Sequence, residues 1–151
     1  MSKTLFMETT EIETTKTVGE IQRVLSLYGA TTISTDFDKG EVVGLSFVIR
    51  VKEQEIPFRL PCRWKPIFDH LQRKRKQHRD RKENEDMSRA KKVAWRQLLR
   101  WVEAQLALVD TEMVQIQEVF LPYMASLDGG TLYDYVTNKQ FMIEHKPHGE
   151  K

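Results

Sequence analysis

The chain has 151 residues, 40% hydrophobic and 30% charged, with a formal net charge of +2. That length suits one domain with a real core, the apolar content is too high for a disordered chain, and charges break up any run of the about 20 apolar residues that a membrane span needs. The opening MSKTLFMETTEIETTKT lacks a long apolar stretch and a small-residue cleavage site, so it does not read as a secretion signal; with Cys62 alone, no internal disulfide can form and the expected compartment is the reducing cytoplasm.

Charge is distributed unevenly. Between Arg63 and Arg100 there are fourteen Lys/Arg and five Asp/Glu, a net +9, and the rest of the chain carries −7. Such asymmetry bears on partners and solubility rather than on fold.

Residues 1–16, rich in Thr and Glu, show little apolar periodicity and read as a flexible N-terminal arm. The single domain is expected over 17–143. Thr17-Val18-Gly19-Glu20 fits a capping box, and Val18, Ile21, Leu25 and Tyr28 recur at helical spacing up to Gly29, a helix-ending residue. The first helix is therefore expected over 17–28.

Three strands follow. In the second, 41–52, Val43, Leu45, Phe47, Ile49 and Val51 point one way and Gly44, Ser46, Val48, Arg50 and Lys52 the other. A three-residue turn, Asp38-Lys39-Gly40, would set Ile33 against Leu45 and Thr35 against Val43. A two-residue turn, Glu53-Gln54, would set Val51 against Ile56, Ile49 against Phe58 and Phe47 against Leu60. Both turns gather apolar residues on one face, and a one-residue slip would undo that. Pro57 cannot donate to a ladder, which places the third strand at an edge.

Pro66 suits the first turn of a second helix, in which Ile67, Phe68 and Leu71 supply one apolar turn. The residues after it, Gln72 to Lys82, have none, so a basic helix or loop at 72–87 is expected to project. Ser88 would cap a third helix running to about Val109, with Ala90, Val93, Ala94, Leu98, Trp101, Val102, Gln105, Leu106 and Val109 as its apolar stripe. A fourth helix is expected from near Thr111 to Leu121, ending at Pro122, then a turn at Asp128-Gly129-Gly130 and a short element with Leu132, Tyr133 and Tyr135. Residues 144–151 read as a disordered tail. The fold class is α+β: an N-terminal helix, a three-stranded antiparallel meander, and a helical C-terminal half packed on one face of the sheet.

The leading chemical signal is seven cations in ten residues: Arg73, Lys74, Arg75, Lys76, Arg79, Arg81 and Lys82. Lys and Arg contacts to phosphate release counterions and give affinity without base specificity. The same run also reads as a solvated segment serving solubility, or as one paired with the adjoining acids. Trp95, near the edge of the third helix's stripe, would stack on unpaired bases if exposed, and Trp101 belongs to the core. Arg50 and Arg59, on adjacent strands of the second sheet face, would present a shallow basic surface if that face is open, and none if the C-terminal segment covers it.

Catalysis finds little support. Asp36, Asp38 and Glu41 cluster at a hairpin turn and offer hard oxygen ligands, but turns select such residues for conformational reasons. A helix, three strands and a helix is also the order of a restriction-type nuclease core, which needs an acid-x-Lys on the third strand, where this chain has Glu55-Ile56-Pro57-Phe58-Arg59-Leu60. Cys62 with His70 lacks an orienting partner, and His145 with His148 falls short of a zinc site. No glycine-rich phosphate loop is present, and neither a cofactor nor a metal is expected.

Ile56-Pro57-Phe58-Arg59-Leu60-Pro61, Ala94-Trp95-Arg96 leading to Trp101-Val102-Glu103-Ala104-Gln105-Leu106-Ala107, and Phe120-Leu121-Pro122-Tyr123 resemble segments of a group of small phage- and prophage-encoded proteins of unknown function. The resemblance covers most of residues 17–135 and brings no residue roles with it. What it implies is a mobile element, where small proteins serve replication, recombination or the blocking of host defences. The expected function is a non-catalytic nucleic-acid-binding accessory protein. The alternatives are an adaptor or inhibitor that docks on an acidic or nucleoprotein host surface, through the basic helix or the edge strand near Pro57, and, third, a metal-dependent nuclease.

Overall fold

The structure, a computed structural model, describes residues 3–75 and 83–139. The expected tail at 144–151 and the centre of the basic run lie outside them. The element order is α1 (Thr14–Leu27), β1 (Ala30–Asp38), β2 (Glu41–Val51), β3 (Gln54–Pro61), α2 (Lys65–Arg75), α3 (Glu83–Asp110), α4 (Ile116–Phe120), a single 3-10 turn (Leu121–Tyr123) and α5 (Leu132–Asn138). This is the expected α+β architecture.

Helix α1 starts one turn earlier than the capping-box reading placed it. Glu13 precedes the helix, and Thr17 is buried within it with its hydroxyl 3.5 Å from the Glu13 carbonyl. Glu20 reaches away to Arg96 instead of back to Thr17. The apolar stripe holds: Val18, Ile21 and Leu25 are buried, and Gly29 takes the left-handed φ of 96° just past the end. Only a residue without Cβ adopts that conformation at little cost.

The three strands form one antiparallel sheet in the order β1-β2-β3. Both registers differ from expectation by two residues. Lys39 and Gly40, with φ of 50° and 81°, make a two-residue turn of the hairpin-favouring type. Ile33 therefore lies opposite Phe47 and Thr35 opposite Leu45. A bulge adds the second residue of offset, since Phe37 pairs with Val42 but Asp36 with Gly44, leaving Val43 extra on β2. At the other hairpin Lys52-Glu53 forms the turn rather than Glu53-Gln54. Ile49 meets Ile56, Phe47 meets Phe58 and Leu45 meets Leu60. From Leu45 onward an offset of two preserves the face of each side chain, but at the bulge the alternation breaks and Val42, rather than the expected Val43, packs against the core.

That face carries Leu45, Phe47, Ile49, Phe58 and Leu60 into a core completed by Val18, Ile21 and Leu25 from α1, by Trp95, Leu99, Val102 and Leu106 from α3, and by Phe120. Phe47 stacks on Phe58 with centroids 5.3 Å apart and meets Phe120 edge-on at 5.2 Å, geometries that suit the ring quadrupole. On the opposite face Thr32, Ser34 and Arg50 are exposed among the described residues, and the turn after Ser126 reaches it at Arg59, whose guanidinium donates to the Gly129 carbonyl. The edge at β3 is partly closed: Ala125 N donates to Pro57 O at 2.9 Å and Met124 bridges Phe58. Of the two sheet edges, the one near Pro57 is thus the less available to a partner.

Helix α3 differs most from expectation. It begins at Glu83 rather than Ser88, runs for 28 residues, and buries Trp95, Arg96 and Leu99 along with Ala90, Val93, Ala94, Val102 and Leu106. Its buried face is rotated relative to the predicted stripe, leaving Leu98 and Trp101 half-buried at the margin. Trp101 closes that margin edge-on against Phe120 at 5.7 Å and Tyr123 at 5.5 Å. The fourth helix starts five residues later than expected, behind Gln115, which exchanges capping hydrogen bonds with Glu118. A second capping box, Thr131 with Asp134, starts α5.

Candidate nucleic-acid interface

Helices α2 and the first half of α3 run antiparallel as a hairpin, and the basic run joins their ends. Leu71 is the one buried residue of α2. Beyond it Arg73 is exposed, whereas Lys74 and Arg75 turn toward acids. Lys74 Nζ lies 2.7 Å from Glu8 Oε1; Arg75 Nε lies 2.8 Å from Asp86 Oδ1, and its Nη2 lies 3.6 Å from Glu85 Oε2. The Asp86 side chain is 2% exposed and also accepts from Gln72 Nε2 at 2.7 Å, so this carboxylate is held by two partners. Such charge-assisted bonds fasten the end of α2 to the start of α3.

The N-terminal residues, expected to be a loose arm, lie along this hairpin. Arg89 of α3 donates to Glu8 O at 3.1 Å and Thr10 O at 3.4 Å, and its Nη2 lies 2.7 Å from Glu11 Oε1. Gln97 Nε2 donates to Phe6 O at 2.8 Å. At Glu8 burial works to raise the carboxyl pKa, but the bonds from Lys74 and from the Leu5 amide outweigh it and hold the pKa below the usual range. Arg89 does the same for Glu11.

The expected site residues therefore divide. Lys76, Arg79, Arg81 and Lys82 lie outside the described residues. Arg73 is free to meet a ligand, while Lys74 and Arg75 would have to exchange a carboxylate for a phosphate. Trp95 is 1% exposed and fully within the core, so the expectation that it stacks on bases is corrected. A side chain at that depth has no face left for a ligand, because the rotated α3 spends it on packing. Arg50 and Arg59 do share the open sheet face, but Arg50 pairs with Glu55 at 3.2 Å and Arg59 is engaged by Gly129. Asp36, beside Ser46, also faces that side, so the surface is mixed in sign rather than basic.

Sequence reasoning missed Arg89, which gathers the N-terminal segment, and the exposed aromatics Phe6, Phe37, Tyr133 and Tyr135. Tyr133 lies under Arg63, 6.0 Å from ring centroid to guanidinium carbon. A Thr-x-x-Asp start was the available signal for α5, and hence for the placement of its tyrosines.

Asp36, Asp38 and Glu41 do not come together: Glu41 is taken by Lys91. Among the described residues no three His, Cys, Asp or Glu side chains gather where they could hold a metal ion. Burial pushes the Cys62 thiol up to about 12, with the nearby Lys91 charge acting the other way. Thiolate is the reactive form. Alkylation of native protein by iodoacetamide near neutral pH is therefore expected to run at least about 100-fold slower than for a free cysteine of pKa roughly 8.5, and to recover in urea; a fast native rate would show the thiol to be activated. No helix among the described residues is long and apolar enough to cross a membrane. No protein-family model, curated protein or solved structure matches the chain.

Proposed function

We propose that the protein is a non-catalytic nucleic-acid-binding accessory protein that contacts phosphates through the basic run joining α2 to α3. The observation that carries this reading is the end of the apolar anchor at Leu71, followed at once by seven cations in ten residues. Arg73, the first of the seven, is exposed near the end of α2. A dense cation row recognises the backbone of a nucleic acid and not its sequence. The mobile-element resemblance supplies the setting, replication or recombination.

Titration of labelled single-stranded and duplex oligonucleotides at several salt concentrations tests it. Arg73, Lys76, Arg79, Arg81 and Lys82, at about 0.9 counterions per duplex contact, set a slope near −4 to −5 and a few hundredfold loss of affinity across a fourfold rise in salt. Changing these five to Gln should abolish that dependence. No binding at low salt, or binding indifferent to the change, would overturn the proposal. The competing adaptor reading loses support at the β3 edge, which Met124 and Ala125 partly occupy.

A further inference from the structure

The N-terminal segment is held mostly by charge. Its Glu8 carboxylate accepts from Lys74 Nζ through one oxygen and from the Leu5 amide, at 2.6 Å, through the other. Its backbone carbonyls at Glu8 and Thr10, with the Glu11 carboxylate, accept three hydrogen bonds from Arg89. Its apolar side chains contribute little, since Phe6 is 63% exposed and Leu5 and Met7 are only half-buried. Met7 has a φ of 63°, a left-handed conformation that a bulky residue adopts at a cost. A carboxylate and a phosphate oxygen make the same kind of bond to a guanidinium or an ammonium. Of the cations that this segment covers, Lys74 follows Arg73 in the sequence and Arg89 lies on the facing helix of the same hairpin.

We propose that residues 5–11 form a displaceable anionic strap over a second phosphate-contact patch, Lys74 and Arg89, and that nucleic acid and strap compete for it. The proposal rests on the nucleic-acid reading and names a regulation of that same site. With the strap seated, Lys74 and Arg89 are occupied by it. With it displaced, both are offered to the ligand on the α2–α3 hairpin. The strap carries its own charges, Glu8 and Glu11, so it also repels an approaching phosphate backbone until it leaves.

The test compares the full chain with its E8Q/E11Q variant, using a labelled oligothymidylate at several salt concentrations. The variant should bind roughly three- to tenfold more tightly at low salt, the scale of one or two partly exposed ion pairs that no longer have to be broken. Its salt slope should steepen by about 1 to 2, at about 0.7 per single-strand contact. Adding K74Q/R89Q should cancel the gain in the E8Q/E11Q background and change little in the unmodified chain. In the unmodified chain a Glu-specific protease should cut after Glu8 and Glu11 faster once oligonucleotide is added. If the unmodified chain binds but E8Q/E11Q shows the same affinity and slope, or if oligonucleotide slows that cleavage, the strap is overturned and the binding function stands. If neither chain binds at low salt, both fall together.

Discussion

Trp95→Ala should lower the stability of the fold by about 3–5 kcal/mol, the range for truncating a large buried aromatic. Trp95 is 1% exposed and belongs to the cluster that joins α1, the sheet and α3. Removing the indole forfeits its transfer free energy and leaves a cavity that three elements would have to close together. A domain of this size has about 5–15 kcal/mol in total, so the variant should be marginal at room temperature. Urea unfolding measures it: the midpoint should fall sharply with the slope unchanged. Trp95→Phe separates this role from ligand stacking. It should cost far less stability and leave oligonucleotide affinity as it was, whereas a base-stacking residue is worth roughly 1–3 kcal/mol per base. A loss of affinity on that scale, in a variant that remains folded, would return Trp95 to the binding surface.

The second large effect lies at the ion pair between α1 and α3. The Arg96 side chain is 5% exposed and its partner Glu20 37%, and Arg96 Nε has no hydrogen-bond partner among the described residues. Glu20→Ala would leave a guanidinium in the interior with no counter-charge. For fully buried pairs this costs about 3–5 kcal/mol; water reaching the Glu20 side reduces the expectation here to about 2–4 kcal/mol. Arg96→Met removes the stranded charge itself and fills much of the same volume, so it should cost less, within about 1.5 kcal/mol, or even stabilise. The Glu20→Ala/Arg96→Met double variant should then be more stable than Glu20→Ala alone. Urea midpoints of the four proteins decide the matter, and simple additivity of the two losses would mean that the pair is not coupled.

Which parts of the structure could be read in advance follows from how strongly each is determined by local pattern. The face of the residues from Leu45 to Val51 was legible, because alternation has a period of two; at the bulge it was not, and Val42 takes the core side expected of Val43. The pairing partners were not: a bulge at Val43 and a turn at Lys52-Glu53 shift both hairpins by two residues, and such a shift leaves the alternation unchanged. For α3 the period of 3.6 identified a core helix but not its rotation. Arg96 and Ala94 adjoin Trp95 in the sequence, and burying an arginine requires the acid that α1 supplies through Glu20, a contact no local pattern announces. Tertiary pairing hid the strap in the same way. Glu8 and Glu11 look like part of a solvated arm until Lys74 and Arg89 are placed beside them. The basic run stood out from composition alone, because its seven cations follow the last apolar residue of α2.

Helix α3 is about 42 Å long at 1.5 Å per residue, and only its later turns, from Trp95 to Leu106, enter the main core. Its earlier turns pair with α2 and carry the charged end some distance from the aromatic cluster. Sites separated by more than about 7–10 Å with no shared partners contribute independently. One continuous helix thus separates two sets of constraints: changing a charge at its early turns should leave the packing of its later turns as it is.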